Sequence, residues 1–273
     1  MKSRSKAIPA VFINAGINKK VFTFKGIIAL VFASAFIFTA CNRDWQYLKS
    51  THFNIRARSD IAPDKVKKLD KVLEDNYTGV GQFLKTVPDS LIQVSIYSHQ
   101  WQYDLATGDY DDVGSVDGTS DLHFILQAWD EKQIAQIAIS ELTHAFTLKL
   151  LINHAQKPID IQKFRKKVAT IPGWLLVGIS AYEANEFIDP KTLPFMRVDS
   201  AITVRRLNSQ KIMKVGYTMI EYFLQKYGHD KLIELVVNYG DTNKVLGITD
   251  DQFIKDWYVY AKTKYFKDDM PKG

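Results

Sequence analysis

Cysteine is almost missing from this chain: there is one, Cys41, in 273 residues. A single thiol excludes any intrachain disulfide, so the fold must be held by its core. Material for a core is present, with 46% apolar and 12% aromatic residues, and that composition excludes a disordered chain. Acidic residues are absent from positions 1–40, which carry six bases: Lys2, Arg4, Lys6, Lys19, Lys20 and Lys25. Of the 36 bases and 30 acids in the whole chain, 30 of each therefore lie beyond residue 40, and the net charge of +6 belongs to the leader. The body is neutral, which removes the support for a nucleic-acid partner that the pI near 9.1 suggests. There is no internal repeat and no low-complexity segment.

The apolar run at 26–40, "GIIALVFASAFIFTA", is shorter than the roughly 20 residues a membrane-spanning helix needs. Behind basic residues and ahead of small ones, it reads as a secretory signal peptide over 1–40, with an uncleaved N-terminal anchor as the alternative. The junction Phe38-Thr39-Ala40-Cys41 resembles the lipobox of bacterial lipoproteins. That resemblance implies acylation of Cys41, a lipidated polar tether over 41–49, membrane contact through the lipid, and a place in the bacterial cell envelope, at the outer membrane or its periplasmic face.

The remainder divides into an α/β part, 50–129, and a helical part, 130–266. "THFNIRAR" alternates as a strand, "LIQVSIYS" is the clearest strand in the chain, and "LHFILQAW" is expected to form an edge strand over 121–126. Pro63 opens an amphipathic helix whose Val66, Leu69, Val72, Leu73, Tyr77, Val80 and Leu84 recur at three- and four-residue steps. Residues 100–129 read as two short strands joined by a long turn. Within them Asp109, Asp111 and Asp112 suggest a calcium loop, but Val113 and Ser120 stand where such a loop needs oxygen ligands, so a solvated turn is expected. Helical patterns follow at 131–152, 158–168, 173–187, 211–227, 229–239 and 250–265, the last three punctuated by Gly228, Gly240 and Gly247.

One short motif carries chemistry. "IAISELTHA" (137–145) matches the zinc-helix pattern H-E-x-x-H, in which two His on one helix face grip a metal and the Glu activates water. Here Ser140 replaces the first His, and Glu141 and His144 remain. Beginning at 173, "GWLLVGISAYEANEF" supplies a second helix. Together these segments resemble the peptidase-MA-like gluzincins, over roughly residues 50–262. Trp174, Leu175, Gly178 and Tyr182 match that family's W-L-x-E-G-x-A-x-Y helix, while Val177 stands at the third zinc ligand and Ser180 at the small Ala.

The resemblance implies an α+β, zincin-like fold: a small mixed sheet with an amphipathic helix, then an all-helical C-terminal half carrying a degenerate zinc helix. Ser140 and Val177 mark lost ligand positions, His144 is a vestigial ligand and Glu141 a vestigial base. No cofactor is expected, since one imidazole does not hold zinc in that geometry. Tyr217 matches a Tyr opening a later helix of the family, implying a carbonyl-polarising donor; a core aromatic is the alternative. Glu183 and Glu186, on the second helix six and nine residues beyond Val177, point away from the lost ligand direction and are expected on a solvated face. His123 is expected half-exposed on the edge strand, and His154 and His229 near helix ends, against terminal carbonyls. Glu141 and His144 are either a satisfied buried pair, a recognition element, or part of an unorthodox metal site. The functional expectation is an envelope lipoprotein binding a peptide or envelope protein along the edge strand. The alternatives are a zinc peptidase with atypical ligands and a tethered scaffold.

Overall fold

Alternation builds the sheet. The computed structural model describes residues 44–110, 112–126, 130–197, 207 and 209–267; Cys41, the signal segment 1–40 and Asp111 lie outside them. In Phe53–Arg58 (β2) the odd residues Phe53, Ile55 and Ala57 are buried and the even ones are not, as a strand with one wet face requires. Trp45–Lys49 (β1) precedes it, and Ile92–Tyr97 (β3), Gly114–Asp117 (β4) and Asp121–Ile125 (β5) follow. The five strands lie in the order β1-β2-β3-β5-β4. The central three are parallel, and the flanking β1 and β4 run antiparallel to their neighbours. With helices on either side in sequence, this is a mixed sheet in an α+β chain.

Pro63–Leu84 (α1) starts on a proline, whose missing N–H costs nothing in a first turn, and ends where Lys85 turns left-handed at φ 50°. Its buried stripe Val66, Leu69, Leu73, Tyr77, Val80 and Leu84 covers the inner face of the sheet. Tyr77 meets Phe53 of β2 edge-on at 5.8 Å and Phe146 at 5.1 Å. Gln100–Thr107 (α2) crosses to the opposite face, where Tyr103 packs with Tyr97 and Ile125.

The second half is helical: Glu131–His154 (α3), Ile161–Val168 (α4), Gly173–Glu183 (α5), Ser209–Tyr227 (α6), His229–Val237 (α7), Thr242–Leu246 (α8) and Asp250–Tyr265 (α9). A capping box fixes the start of α3, the Asp130 carboxylate accepting from the Gln133 N–H and the Gln133 side chain accepting in return from the Asp130 N–H. Where α5 crosses α6 the backbones touch: a Cβ on Gly178 would stand 2.9 Å from the Gly216 carbonyl oxygen, and one on Gly216 2.9 Å from the Gly178 Cα. Both halves share one continuous apolar core, running from Phe53 to Phe266. His229 ties them further, Nε2 lying 2.6 Å from the Phe83 carbonyl at the end of α1. His154 meets the Leu150 carbonyl at 3.0 Å, so both histidines serve helix ends as expected. Among the described residues no helix is long and apolar enough to cross a membrane.

Four sequence expectations are corrected. Residues 45–49 are not free tether; they form β1, paired residue for residue with β2. Residues 100–107 are a helix rather than part of a two-strand unit, with Gly108 its left-handed cap at φ 76°. Strand 121–125 is not at the edge: Gly118, at φ 65°, turns the chain so that β4 pairs outside it. The acidic segment is accordingly a helix-to-strand link, and the hairpin turn lies at 118–120.

Candidate functional site

The centre of α3 lies against the edge strand β4. A Cβ on Gly114 would meet the Ile137 side chain at 2.7 Å and the Glu141 Cγ at 3.1 Å, so glycine lets β4 lie close on the helix at the level of Glu141. Glu141 keeps 14% of its side-chain surface exposed and His144 keeps 32%. They interact within the helix, His144 Nδ1 lying 3.3 Å from Glu141 Oε2. Burial pulls the His144 imidazole towards its neutral form. The hydrogen bond and charge of Glu141, with the charge of Glu186, outweigh burial and hold it above the ordinary histidine range.

Glu186 is the correction at this site. The second helix ends at Glu183, and Asn185 turns left-handed at φ 52°. The chain folds back, the Glu186 N–H bonding to the Ala181 carbonyl at 2.8 Å, and Gln136 of α3 donates to the Asn185 carbonyl at 3.4 Å. Glu186 is thus half-buried, close enough for its charge to act on Glu141 and His144. Burial raises its carboxyl pKa, the His144 charge lowers it, and Glu141 raises it again. Glu183 is also no solvated-face residue; burial pushes its carboxyl up to about 7. A wheel extended beyond Glu183 assumed a helix that Asn185 ends, and the Asn itself was the available signal.

Two further groups border Glu141: Asp109, weighed in the sequence only for a calcium loop, and Tyr103. Burial raises Asp109, a hydrogen bond from Ser115 lowers it, and the Glu141 charge raises it. The Tyr103 hydroxyl is buried without a well-formed hydrogen bond, with Ser115 beside it. Around Glu141 there is thus one imidazole with a raised pKa, and carboxyls that burial and mutual repulsion make reluctant to ionise.

The residues at the lost ligand positions are half-buried, Ser140 on α3 and Val177 on α5. Among the described residues, no group of three His, Cys, Asp or Glu side chains is arranged to hold a metal ion. The donor set does not fit the zinc site that the motif implies. The second-helix motif residues do structural work. Trp174 stacks on Phe253 at 4.3 Å, Gly178 permits the α5–α6 crossing, and Tyr182 stacks with Phe83 at 6.0 Å. Tyr217 packs against Tyr182 at 5.1 Å and Phe187 at 5.4 Å. It is half-buried, and its ring contacts are with aromatics. His123 is on the interior strand β5, facing away from α3, with Nδ1 sharing a 3.1 Å hydrogen bond with the Tyr97 hydroxyl.

No family model matches the chain, and no curated protein matches it.

Proposed function

We propose that this protein is a lipid-anchored envelope protein, held through Cys41, whose zincin-like domain with a degenerate zinc helix binds extended peptide segments along β4. The observation carrying this reading is an open strand edge directly over Glu141. The Ile125 N–H bonds to the Val113 carbonyl. Alternation then makes 114↔124 and 116↔122 the non-bonded pairs of the β4–β5 ladder, so the N–H and C=O groups of Gly114 and Val116 point outward. Such groups accept an added strand without any metal, and the Glu141–His144–Glu186 cluster beside them offers both charges to its side chains.

Val116→Pro removes one outward donor and leaves the ladder to β5 intact. Peptides selected by the wild-type protein from a random decapeptide library should bind this variant at least tenfold more weakly, with its circular dichroism unchanged. Equal binding refutes strand addition at β4. The alternative reading is a zinc peptidase with atypical ligands. Elemental analysis separates the two. About one zinc per chain, removable by chelator with loss of peptide cleavage, establishes the enzyme; its absence leaves the binding reading standing.

A further inference from the structure

The face of the sheet turned away from α1 and α3 is polar, and its register sets charges in order. One cross-strand row runs Tyr47, Arg56, Ser95, His123, Ser115; the next runs Lys49, Asn54, Gln93, Asp121, Asp117. Cations therefore stand on the β1–β2 side and carboxylates on the β5–β4 side. Helix α2 covers the far end of this face through Tyr103. Over the remainder lies a groove of about 290 Å³, at the small end of ligand sites.

Arg56 is fixed in this groove. Its Nε donates to the Ser95 hydroxyl at 2.9 Å, and its guanidinium lies 5.1 Å from the centre of the Trp45 ring. The Tyr97 hydroxyl lies beside it. Among the described residues no carboxylate comes within 4.0 Å of the guanidinium, and no cation within 4.0 Å of Asp121. A guanidinium held at Nε by a buried hydroxyl offers its remaining edge as a fork for an oxyanion. Asp121 is partly buried; that burial raises its carboxyl, the His123 and Arg56 charges lower it, and the Asp117 charge raises it again. With no cation in ion-pair contact, it has room for one brought by a ligand. His123, tied to Tyr97 at Nδ1, has Nε2 for hydrogen bonding between the two poles.

We infer that this groove binds a small zwitterion of short-peptide size, its carboxylate on Arg56 and its ammonium on Asp121. β2 and β5 are two strand spacings apart, about 10 Å, and Arg56 and Asp121 stand in neighbouring rows about 7 Å apart along the strands, so their Cα atoms are about 12 Å apart and the two side chains reach towards a ligand no longer than about an extended tripeptide. The site is separate from the β4 edge, which takes backbone pairing and needs no free termini.

Equilibrium dialysis of radiolabelled trialanine against the purified full-length chain tests this. The expected result is saturable binding of one trialanine per chain, reduced at least tenfold in Arg56→Gln and in Asp121→Asn. Arg56→Lys, which keeps the charge and stem but loses the fork, should weaken it similarly while guarding against misfolding. N-acetyl-trialanine and trialanine amide should each compete at least tenfold less well than trialanine. Val116→Pro should bind normally. No saturable binding to wild type, equal competition by either capped peptide, or unchanged binding in all three groove variants overturns the inference. So does loss of binding in Val116→Pro alone, which would assign the ligand to the β4 edge.

Discussion

Glu183 is an acid whose burial makes folding depend on pH. Its folded-state pKa of about 7 lies above the ordinary value of 4.5, so between these values the folded chain holds more protons than the unfolded one. Stability from this group is then lost as pH rises through that window. Glu183→Gln should therefore be more stable than wild type at pH 8, by on the order of 2 kcal/mol, and nearly equal to it at pH 4.5; paired denaturant titrations check both. His144 has the same sign, since its pKa is raised: its pair with Glu141 stabilises most below pH 6.5 and fades as pH climbs through the raised value. Ser140 and Val177 allow a sharper trial. Ser140→His with Val177→Glu should create a two-His, one-Glu set around His144 that binds zinc far more tightly than either single variant. A zinc titration showing no gain in the folded double variant refutes the placement of both motifs. Legible in advance was the pairing of Glu141 and His144 on one helix, which follows from their spacing. Glu186 and Asp109 were not, because a left-handed Asn185 and a helix-to-strand link bring them in, and neither leaves a period in the sequence.

At the scale of elements, periodicity did its work where segments are long. The stripe of α1 and the helical half were readable because each exposes one face to the core over several turns. α2 was hidden because only Tyr103 of its eight residues is buried. β4 was hidden because "GSVD" is four residues with a glycine. Which strand forms the edge is a matter of pairing partners, and no single strand's sequence states it. The α5–α6 crossing makes the strongest mechanical prediction. Gly178→Ala or Gly216→Ala pushes a methyl group to 2.9 Å from opposing backbone, which no rotamer change relieves. Either should cost about 2–3 kcal/mol in urea unfolding, whereas Gly79→Ala, with nothing within 4 Å, should be neutral or slightly stabilising.

For the whole molecule, a core continuous from Phe53 to Phe266 implies a single cooperative unfolding transition. Tyrosine fluorescence and far-ultraviolet dichroism should give coincident urea curves, and two separated midpoints would divide the chain into independent halves. Under the proposed anchoring, Cys41→Ser should abolish metabolic labelling by palmitate and leave the precursor unprocessed. Because β1 begins at Trp45, only four peptide steps separate the position that would carry the lipid from a strand built into the sheet. At about 3.5 Å each, that leash spans at most about 14 Å. So anchored, the protein could not swing out on a stalk; it would rest almost on the lipid headgroups, with β1 the strand nearest the bilayer and β4 on the far flank of the sheet. Its partners would have to come to the membrane surface to be met.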